Sequence, residues 1–198
     1  MEKFNEALFL TINAPAHPQA LLLALARGLA EWSIWLIPLF LALGWLRGDG
    51  RQRRLMLEAA ASGGAGLLIN QGIGLLWQHP RPFMIGLGHT FLAHAPDSSF
   101  PSDHATLIWA VAFSLLLHER TRAAGLALAL LGLPVAWARI YLGVHFPLDM
   151  AGAAMVALVA ARLALYQRRH LIGRFYRPVL AFYRLVATPL IRRGWILK

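Results

Sequence analysis

The stretch SSFPSDHAT, Ser98 to Thr106, places serine, proline, aspartate and histidine immediately before a long apolar segment. This order is typical of a helix start, where unpaired backbone N–H groups and the helix dipole favour a bound anion. We therefore predict a helix that begins near Ser102 and carries Asp103 and His104 in its first turn. These three residues are the first candidates for a functional site.

The whole chain has the composition of a membrane protein. Its 198 residues are 58% hydrophobic and only 14% charged, and none is cysteine. Such values are far from those of a soluble domain and indicate one small polytopic membrane domain. The lack of cysteine excludes a disulfide, a thiolate nucleophile and a cysteine-bound metal.

Apolar segments define the expected architecture, because a helix needs roughly 20 residues to cross the bilayer. Five candidates run from 29 to 46, 55 to 77, 102 to 117, 123 to 140 and 147 to 166. We predict an all-α fold, a polytopic membrane helix bundle of about five to six transmembrane helices. The sixth candidate is 177–191, which Arg184 interrupts. The remaining residues form an N-terminal interfacial segment, 1–28, and a basic amphipathic C-terminal tail, 167–198, on either side of the membrane domain, 29–166.

Arginines in the connections orient the spans. They cluster at 47–54, 118–122 and 167–177, which all fall on one side of a five-helix arrangement. The positive-inside rule makes that side cytoplasmic, so the other loops face outward with most of the unusual polar residues. This topology, together with a tail suited to anionic lipid, accounts for the net charge of +10. Membrane lipids, and no nucleic acid, are the expected partners.

The outward loops supply a second group of candidates. Arg81 follows the second span, and Pro82 stops that helix. Arg139 lies at the end of the fourth span, His145 precedes Pro147, and Asp149 falls in the first turn of the fifth span.

This combination of side chains fits phosphoryl transfer. Two guanidinium groups suit a tetrahedral phosphate, since each can donate two parallel hydrogen bonds to phosphate oxygens. Of two histidines, one can attack phosphorus while the other protonates the leaving oxygen. A carboxylate beside the attacking imidazole can hold its tautomer and stabilise the imidazolium. We interpret the site as one that works through a phosphohistidine.

Three short blocks carry a family resemblance. PRPF, PSDH and the pattern R-x5-H-x3-D at Arg139, His145 and Asp149 resemble the signature of the type 2 phosphatidic acid phosphatase superfamily, K-x6-R-P, P-S-G-H and S-R-x5-H-x3-D. The resemblance covers roughly Leu67 to Ala160. Within the superfamily, INQGIGLLWQHPRPF and SSFPSDHAT are most similar to the undecaprenyl-diphosphatase, or bacitracin-resistance, branch.

The resemblance implies an integral membrane lipid phosphatase that hydrolyses undecaprenyl diphosphate and recycles the lipid carrier of peptidoglycan synthesis. It implies a bacterial cytoplasmic membrane, an active site facing the periplasm or cell exterior, and no metal or other cofactor. His145 would be the nucleophile, Asp149 its orienting partner, and His104 the acid and then the base. The transferred phosphoryl group would be held by Arg81, Arg139 and Ser102.

Three positions depart from the family signature. Gly74 stands where the first block has lysine, so a phosphate-binding cation is missing, and Gln78 or His79 is predicted to replace it in part. Asp103 replaces the glycine of P-S-G-H and would repel phosphate unless its carboxylate turns away. The third departure is Ala138, which replaces a serine.

Other functions stay open at this point. The site also suits a phosphatidate or phosphatidylglycerophosphate phosphatase, and an undecaprenyl-diphosphate-dependent lipid A phosphotransferase. A metal hydrolase would use His104, His145 and Asp149 as ligands. A transporter or lipid-binding protein would need no nucleophile. The oligomeric state is not predicted.

The remaining polar residues have simpler interpretations. We predict structural roles for the other histidines, which are His17, His79, His89, His94, His118 and His170. The second span contains Glu58, Asn70 and Gln71, which we interpret mainly as helix-packing residues. The loop 83–100 is expected to dip into the interface and admit an isoprenoid chain through Phe91 and Leu92.

Overall fold

The protein is a bundle of helices. The computed structural model describes residues 1–192, and every regular element in that range is helical. The α-helices are α1 Glu2–Ile12, α2 Ala20–Trp32, α3 Leu36–Leu46, α4 Gly50–Leu76, α5 Asp103–Leu116, α6 Arg122–Tyr141, α7 Pro147–Tyr166 and α8 Arg168–Arg192. Short 3-10 turns occupy Ser33–Trp35, Pro82–Ile85 and Glu119–Thr121. The predicted all-α fold is confirmed.

Within residues 1–192, four helical stretches are long and apolar enough to cross a bilayer. They are Ala20–Leu46, Gly50–Leu76, Glu119–Tyr141 and Pro147–Tyr166. The first predicted span, 29–46, was too short, because α2 and α3 join through a 3-10 turn into one stretch of 27 residues. The predicted span at 102–117 corresponds to α5, which has 14 residues. At about 1.5 Å per residue, α5 extends for only about 21 Å.

The short helix α5 is the centre of the bundle. It packs against α4, α6 and α7, and side chains such as Ala105, Ile108 and Val111 are completely buried. Small residues allow this close packing. A Cβ placed on Gly66 of α4 would lie 2.9 Å from Cγ2 of Thr106 in α5. Packing against three other helices fixes the start of α5, while Asp103 is exposed and His104 partly exposed in its first turn.

The basic connections meet at one end of the bundle. Arg120 Nη1 lies 2.9 Å from Asp49 Oδ2. His118 and Arg168 both contact the buried carboxylate of Glu58, at 2.8 Å and 3.2 Å. The loops that precede α5 and α7 lie at the opposite end.

The N-terminal helix α1 covers part of that opposite end. Phe9 is fully buried, and its ring centroid lies 5.5 Å from that of Phe146. Oδ1 of Asn5 accepts a hydrogen bond from the backbone N–H of Leu148 at 3.0 Å, in the first turn of α7. Thus α1 packs on protein and supports the start of α7.

The C-terminal helix α8 lies beside the basic end. Arg53 of α4 stacks over the Tyr183 ring at 4.6 Å, and Arg54 over Tyr176 at 4.9 Å. Within the described chain, α8 is not among the helices apolar enough to span a membrane. The sixth span considered for 177–191 is therefore not supported. Of the predicted tail, 193–198 lies outside the described residues.

Candidate active site

A cavity of about 560 Å³ opens at the end opposite the basic connections. It is enclosed by the C-terminal end of α4, the loop that leads to α5, the first turn of α5 and the junction between α6 and α7. Most of the predicted site residues line it, namely Gln78, His79, Arg81, Asp103, His104, Arg139 and His145. Asp149 and Ser102 do not line it.

Asp149 lies behind His145 and not at the cavity wall. Its Oδ2 is 3.2 Å from His145 Nδ1, and it accepts hydrogen bonds from the Phe146 backbone N–H at 2.8 Å and from the Ser99 hydroxyl. Pro147 begins α7 and places Asp149 in its first turn, so the i, i+4 spacing brings carboxylate and ring together. Since a carboxylate oxygen only accepts, the proton of a neutral His145 is on Nδ1.

The other ring nitrogen of His145 faces two arginines. Nε2 lies 3.1 Å from Arg81 Nη1 and 3.4 Å from Arg139 Nη2. Guanidinium groups only donate, so Nε2 carries a lone pair, as a nucleophile requires. Burial, followed by the charges of Arg139 and Arg81, holds the pKa of His145 well below its ordinary value. The ring is therefore neutral near pH 7.

Arg81 is held by the loops on both sides of the cavity. Its Nη1 donates to the Val144 carbonyl at 2.8 Å and its Nη2 to the Ser98 carbonyl at 3.1 Å. Its Nε donates to Asp97 Oδ1 at 2.8 Å. These bonds fix the plane of the guanidinium group beside His145.

Arg139 is almost completely buried in the last turn of α6, where Nη1 donates to the Ala30 carbonyl at 3.3 Å. Its Nε has no acceptor among the described residues. A buried charged group with an unused donor is costly unless a ligand completes it. Arg139 is therefore well suited to bind an anion.

The Asp103 carboxylate is held against α4. Asn70 Nδ2 donates to Oδ1 at 2.8 Å, and Gln71 Nε2 lies 3.4 Å from Oδ2. Asn70 also donates to Thr106 Oγ1 at 3.0 Å. The structure thus gives Asn70 and Gln71 a second role beside the predicted packing, because their amide groups hydrogen-bond the Asp103 carboxylate and hold it against α4. The sequence contained one signal for this role of Asn70, because Asn70 lies one helical turn before Gly74 and therefore on the same face of α4.

The position of the missing lysine contains no cation. Gly74 forms part of the cavity wall, and Gln78 is exposed at its edge. His79 Nε2 is engaged by Glu2 of α1 at 3.1 Å, and its ring packs on Trp77 and Phe146. Because of these contacts, His79 is a poor replacement for lysine.

Ser102 is the predicted site residue that the structure places least favourably. Its hydroxyl oxygen is buried and has no hydrogen-bond partner in the described part of the chain. Its backbone N–H points to the Asp149 carbonyl at 3.5 Å. As the residue before α5, Ser102 links the start of that helix to α7.

Sequence reasoning missed His94. It was interpreted as structural, but its ring lines the cavity and its centroid lies 6.1 Å from that of His145. The loop 83–100 has no helical or strand periodicity, so the pattern held no signal for the direction of this side chain.

The same loop also corrects the expected lipid contacts. Leu92 is buried in a cluster with Tyr141 and Leu142, so it is not available to an isoprenoid chain, and Phe91 is partly buried against the same cluster. Two apolar residues of the cavity lining, Leu75 and Met84, are exposed.

The described residues do not support the alternative of a metal site. Among residues 1–192, no set of three or more histidine or acidic side chains is arranged to hold a metal ion. His104 and His145 line the cavity, but Asp149 turns its Oδ2 to His145, Phe146 and Ser99.

The bundle and the site define a class, the membrane-embedded phosphatases. The chain belongs to the PAP2 superfamily, whose model matches residues 55–172. This confirms the resemblance inferred from the three blocks.

Two relatives align over nearly the whole chain. YbjG of Escherichia coli K12, provisionally named an undecaprenyl-diphosphatase, is 36% identical over 99% of this chain and 98% of its own. The undecaprenyl-diphosphatase BcrC of Bacillus subtilis 168 is 33% identical over 96% of both chains. The crystal structure of Aquifex aeolicus LpxE has the same fold, with a TM-score of 0.65 and 22% identity over 82% of this chain and 95% of that one.

Proposed function

We propose that this protein hydrolyses undecaprenyl diphosphate to undecaprenyl phosphate and inorganic phosphate on the outer face of the bacterial cytoplasmic membrane. One observation carries the proposal. The Nε2 atom of His145 lies between Arg81 and Arg139 at the cavity, while Asp149 accepts a hydrogen bond from Nδ1. The names of YbjG and of BcrC from Bacillus subtilis support the choice of substrate.

In the first step, Nε2 of His145 attacks the terminal phosphorus and forms an N–P bond. The bond between that phosphorus and the bridging oxygen breaks, and its electron pair leaves with undecaprenyl phosphate. A bound diphosphate offsets the positive charge of Arg139 and Arg81, so that His104 takes up a proton, and this imidazolium then protonates the departing oxygen. Arg81 and Arg139 exchange their contacts with Nε2 for the phosphoryl oxygens, and Asp149 stabilises the positive charge on the ring.

In the second step, water hydrolyses the phosphohistidine. His104, now neutral, removes a proton from the attacking water, and the N–P bond breaks with its electron pair returning to Nε2. Inorganic phosphate leaves, and both histidines regain their starting protonation states. Asp149 keeps the imidazole in one orientation throughout.

The lipid part of the substrate needs an apolar path to the cavity. Leu75 and Met84 combine a place in the cavity wall with exposed surface. A prenyl chain that lies along α4 contacts both while its phosphates enter the cavity. The basic connections at the opposite end favour a cytoplasmic position for that end, so the cavity faces outward.

The test is phosphate release from undecaprenyl diphosphate by the purified full chain in detergent with excess chelator. We expect rapid release that His145→Ala abolishes. The matched control is His17→Ala, since His17 is exposed and does not line the cavity. A phosphorylated intermediate should be trapped by rapid acid-free quenching of the native enzyme and be absent from His145→Ala.

Two results would redirect the proposal. Release from phosphatidate but not from the diphosphate would keep the mechanism and replace the substrate. Formation of the phosphohistidine without its hydrolysis would indicate a phosphotransferase whose acceptor is missing from the assay.

A further inference from the structure

His94 belongs to the cavity although it lies outside every family block. Its side chain is 22% exposed, and its ring meets the His145 ring edge-on at 6.1 Å. Arg81, Arg139 and His104 line the same cavity. A third histidine is therefore available at a site whose proposed chemistry uses two.

The hydrogen bonds of His94 define which nitrogen can meet a ligand. Nδ1 lies 3.1 Å from the Ala95 carbonyl oxygen and 3.7 Å from Asp97 Oδ1. Both neighbours are acceptors, so Nδ1 carries the proton of the neutral ring. Nε2 has no such neighbour among the described contacts and is the atom left for a ligand.

The charges around His94 make it responsive to a phosphate. Burial and then the charge of Arg81 lower the pKa of His94. A bound phosphate brings negative charge that offsets the arginines, so the ring can take up a proton and donate from Nε2. Asp97, which already faces Nδ1, stabilises the imidazolium.

A diphosphate substrate has a second phosphate that needs such a donor. The two arginines at His145 Nε2 are placed for the phosphoryl group that is transferred. The family lysine is replaced by Gly74, and His79 is engaged by Glu2. Around the described cavity, these facts leave His94 as the ionisable side chain without another assignment.

We propose that His94 binds the phosphate that remains on the lipid, through Nε2–H, and so makes the site selective for diphosphates over monophosphates. The inference rests on the proposed function, since it identifies what in the same cavity recognises the second phosphate. His94 lies in the loop before α5, outside the three sequence blocks of the family, so the proposed selectivity does not depend on those blocks.

The test measures ligand binding, so that it does not depend on turnover. Pyrophosphate and orthophosphate are titrated calorimetrically into the full chain in detergent, for the native protein, His94→Ala and the control His17→Ala. We expect His94→Ala to weaken pyrophosphate binding about tenfold, the effect of losing one hydrogen bond to a charged group, and to change orthophosphate binding less than about twofold. Intact orthophosphate binding also shows that the variant is folded.

A second variant tests replacement of the family lysine. A Cβ on Gly74 would lie 3.6 Å from the Ser98 Cβ, an ordinary contact, so Gly74→Lys fits the wall. In the His94→Ala background, it should restore pyrophosphate binding. Equal weakening for both anions, or no effect of His94→Ala on pyrophosphate, would overturn the inference. Turnover of undecaprenyl diphosphate by the native protein tests the proposed function separately.

Discussion

Asn70 of α4 holds Asp103 of α5 by a hydrogen bond of 2.8 Å between Nδ2 and Oδ1. The bond crosses between two helices at the edge of the cavity. It fastens the carboxylate that replaces the family glycine, at a position where negative charge opposes phosphate binding.

The first prediction concerns this pair. Asn70→Leu removes the amide and leaves the Asp103 charge less compensated, so the KM for undecaprenyl diphosphate should rise about tenfold with a smaller change in kcat. Steady-state kinetics in detergent measures both. The double variant with Asp103→Gly should recover the native KM. If the double variant is as impaired as Asn70→Leu, the amide acts through packing and not through the carboxylate.

The second prediction concerns the orienting carboxylate. Asp149→Asn keeps the shape of the side chain but can no longer stabilise the imidazolium of His145, so kcat should fall on the order of 10³-fold. Ser99→Ala is the matched control, because it removes a hydrogen bond to the same oxygen and leaves the charge. We expect that control to lose less than about tenfold in kcat. Similar losses in the two variants would contradict an electrostatic role for Asp149.

The third prediction concerns pH. Because burial and two arginines depress the pKa of His145, the folded protein keeps this ring neutral below the pH at which the unfolded chain protonates it, about 6.5. The unfolded state then binds more protons, so His145 lowers the free energy of unfolding as the pH falls from 7 to 5, by at most about 1.4 kcal/mol per pH unit.

Nitrogen NMR of labelled histidine measures the effect directly, with His145→Gln to assign the signal. We expect the His145 signal to remain that of a neutral ring at pH 5.5. The pH dependence of unfolding should also be weaker in His145→Gln. A protonation midpoint near 6.5 would show that the arginines and burial do not control this ring.

The fourth prediction concerns topology. The chain has no cysteine, so single cysteines provide clean labelling sites. Thr90 is exposed near the cavity end and Glu119 at the basic end. In intact cells, a membrane-impermeant maleimide should label Thr90→Cys and not Glu119→Cys, and both should react after lysis. The reverse pattern would place the cavity in the cytoplasm.

The fifth prediction concerns α1. Asn5→Ala removes the acceptor for the Leu148 N–H at the start of α7, so the protein should lose about 1 kcal/mol of stability. Because that turn carries Asp149, kcat should fall too. Lys3→Ala, an exposed change on the same helix, is the control. Thermal unfolding in detergent and turnover together check the prediction. Unchanged values would show that α1 is a passive cover.

The sequence by itself determined the class of fold and the central pair of the site. Hydropathy located the bundle because a membrane span is a local property of about 20 consecutive residues. His145, Pro147 and Asp149 lie within five consecutive positions, and a helix that begins at Pro147 brings ring and carboxylate together. Both inferences depend on short-range geometry, and the motif order added the family.

Only the tertiary structure decided the contacts that cross between elements. The partners of Asp103, the approach of His94 to His145 and the support of α7 by Asn5 join residues far apart in the chain. The structure also kept Ser102 off the cavity wall and shortened the predicted third span, 102–117, to the 14-residue helix α5. Such contacts depend on how helices and an aperiodic loop pack in three dimensions, and no local pattern of residues encodes that packing.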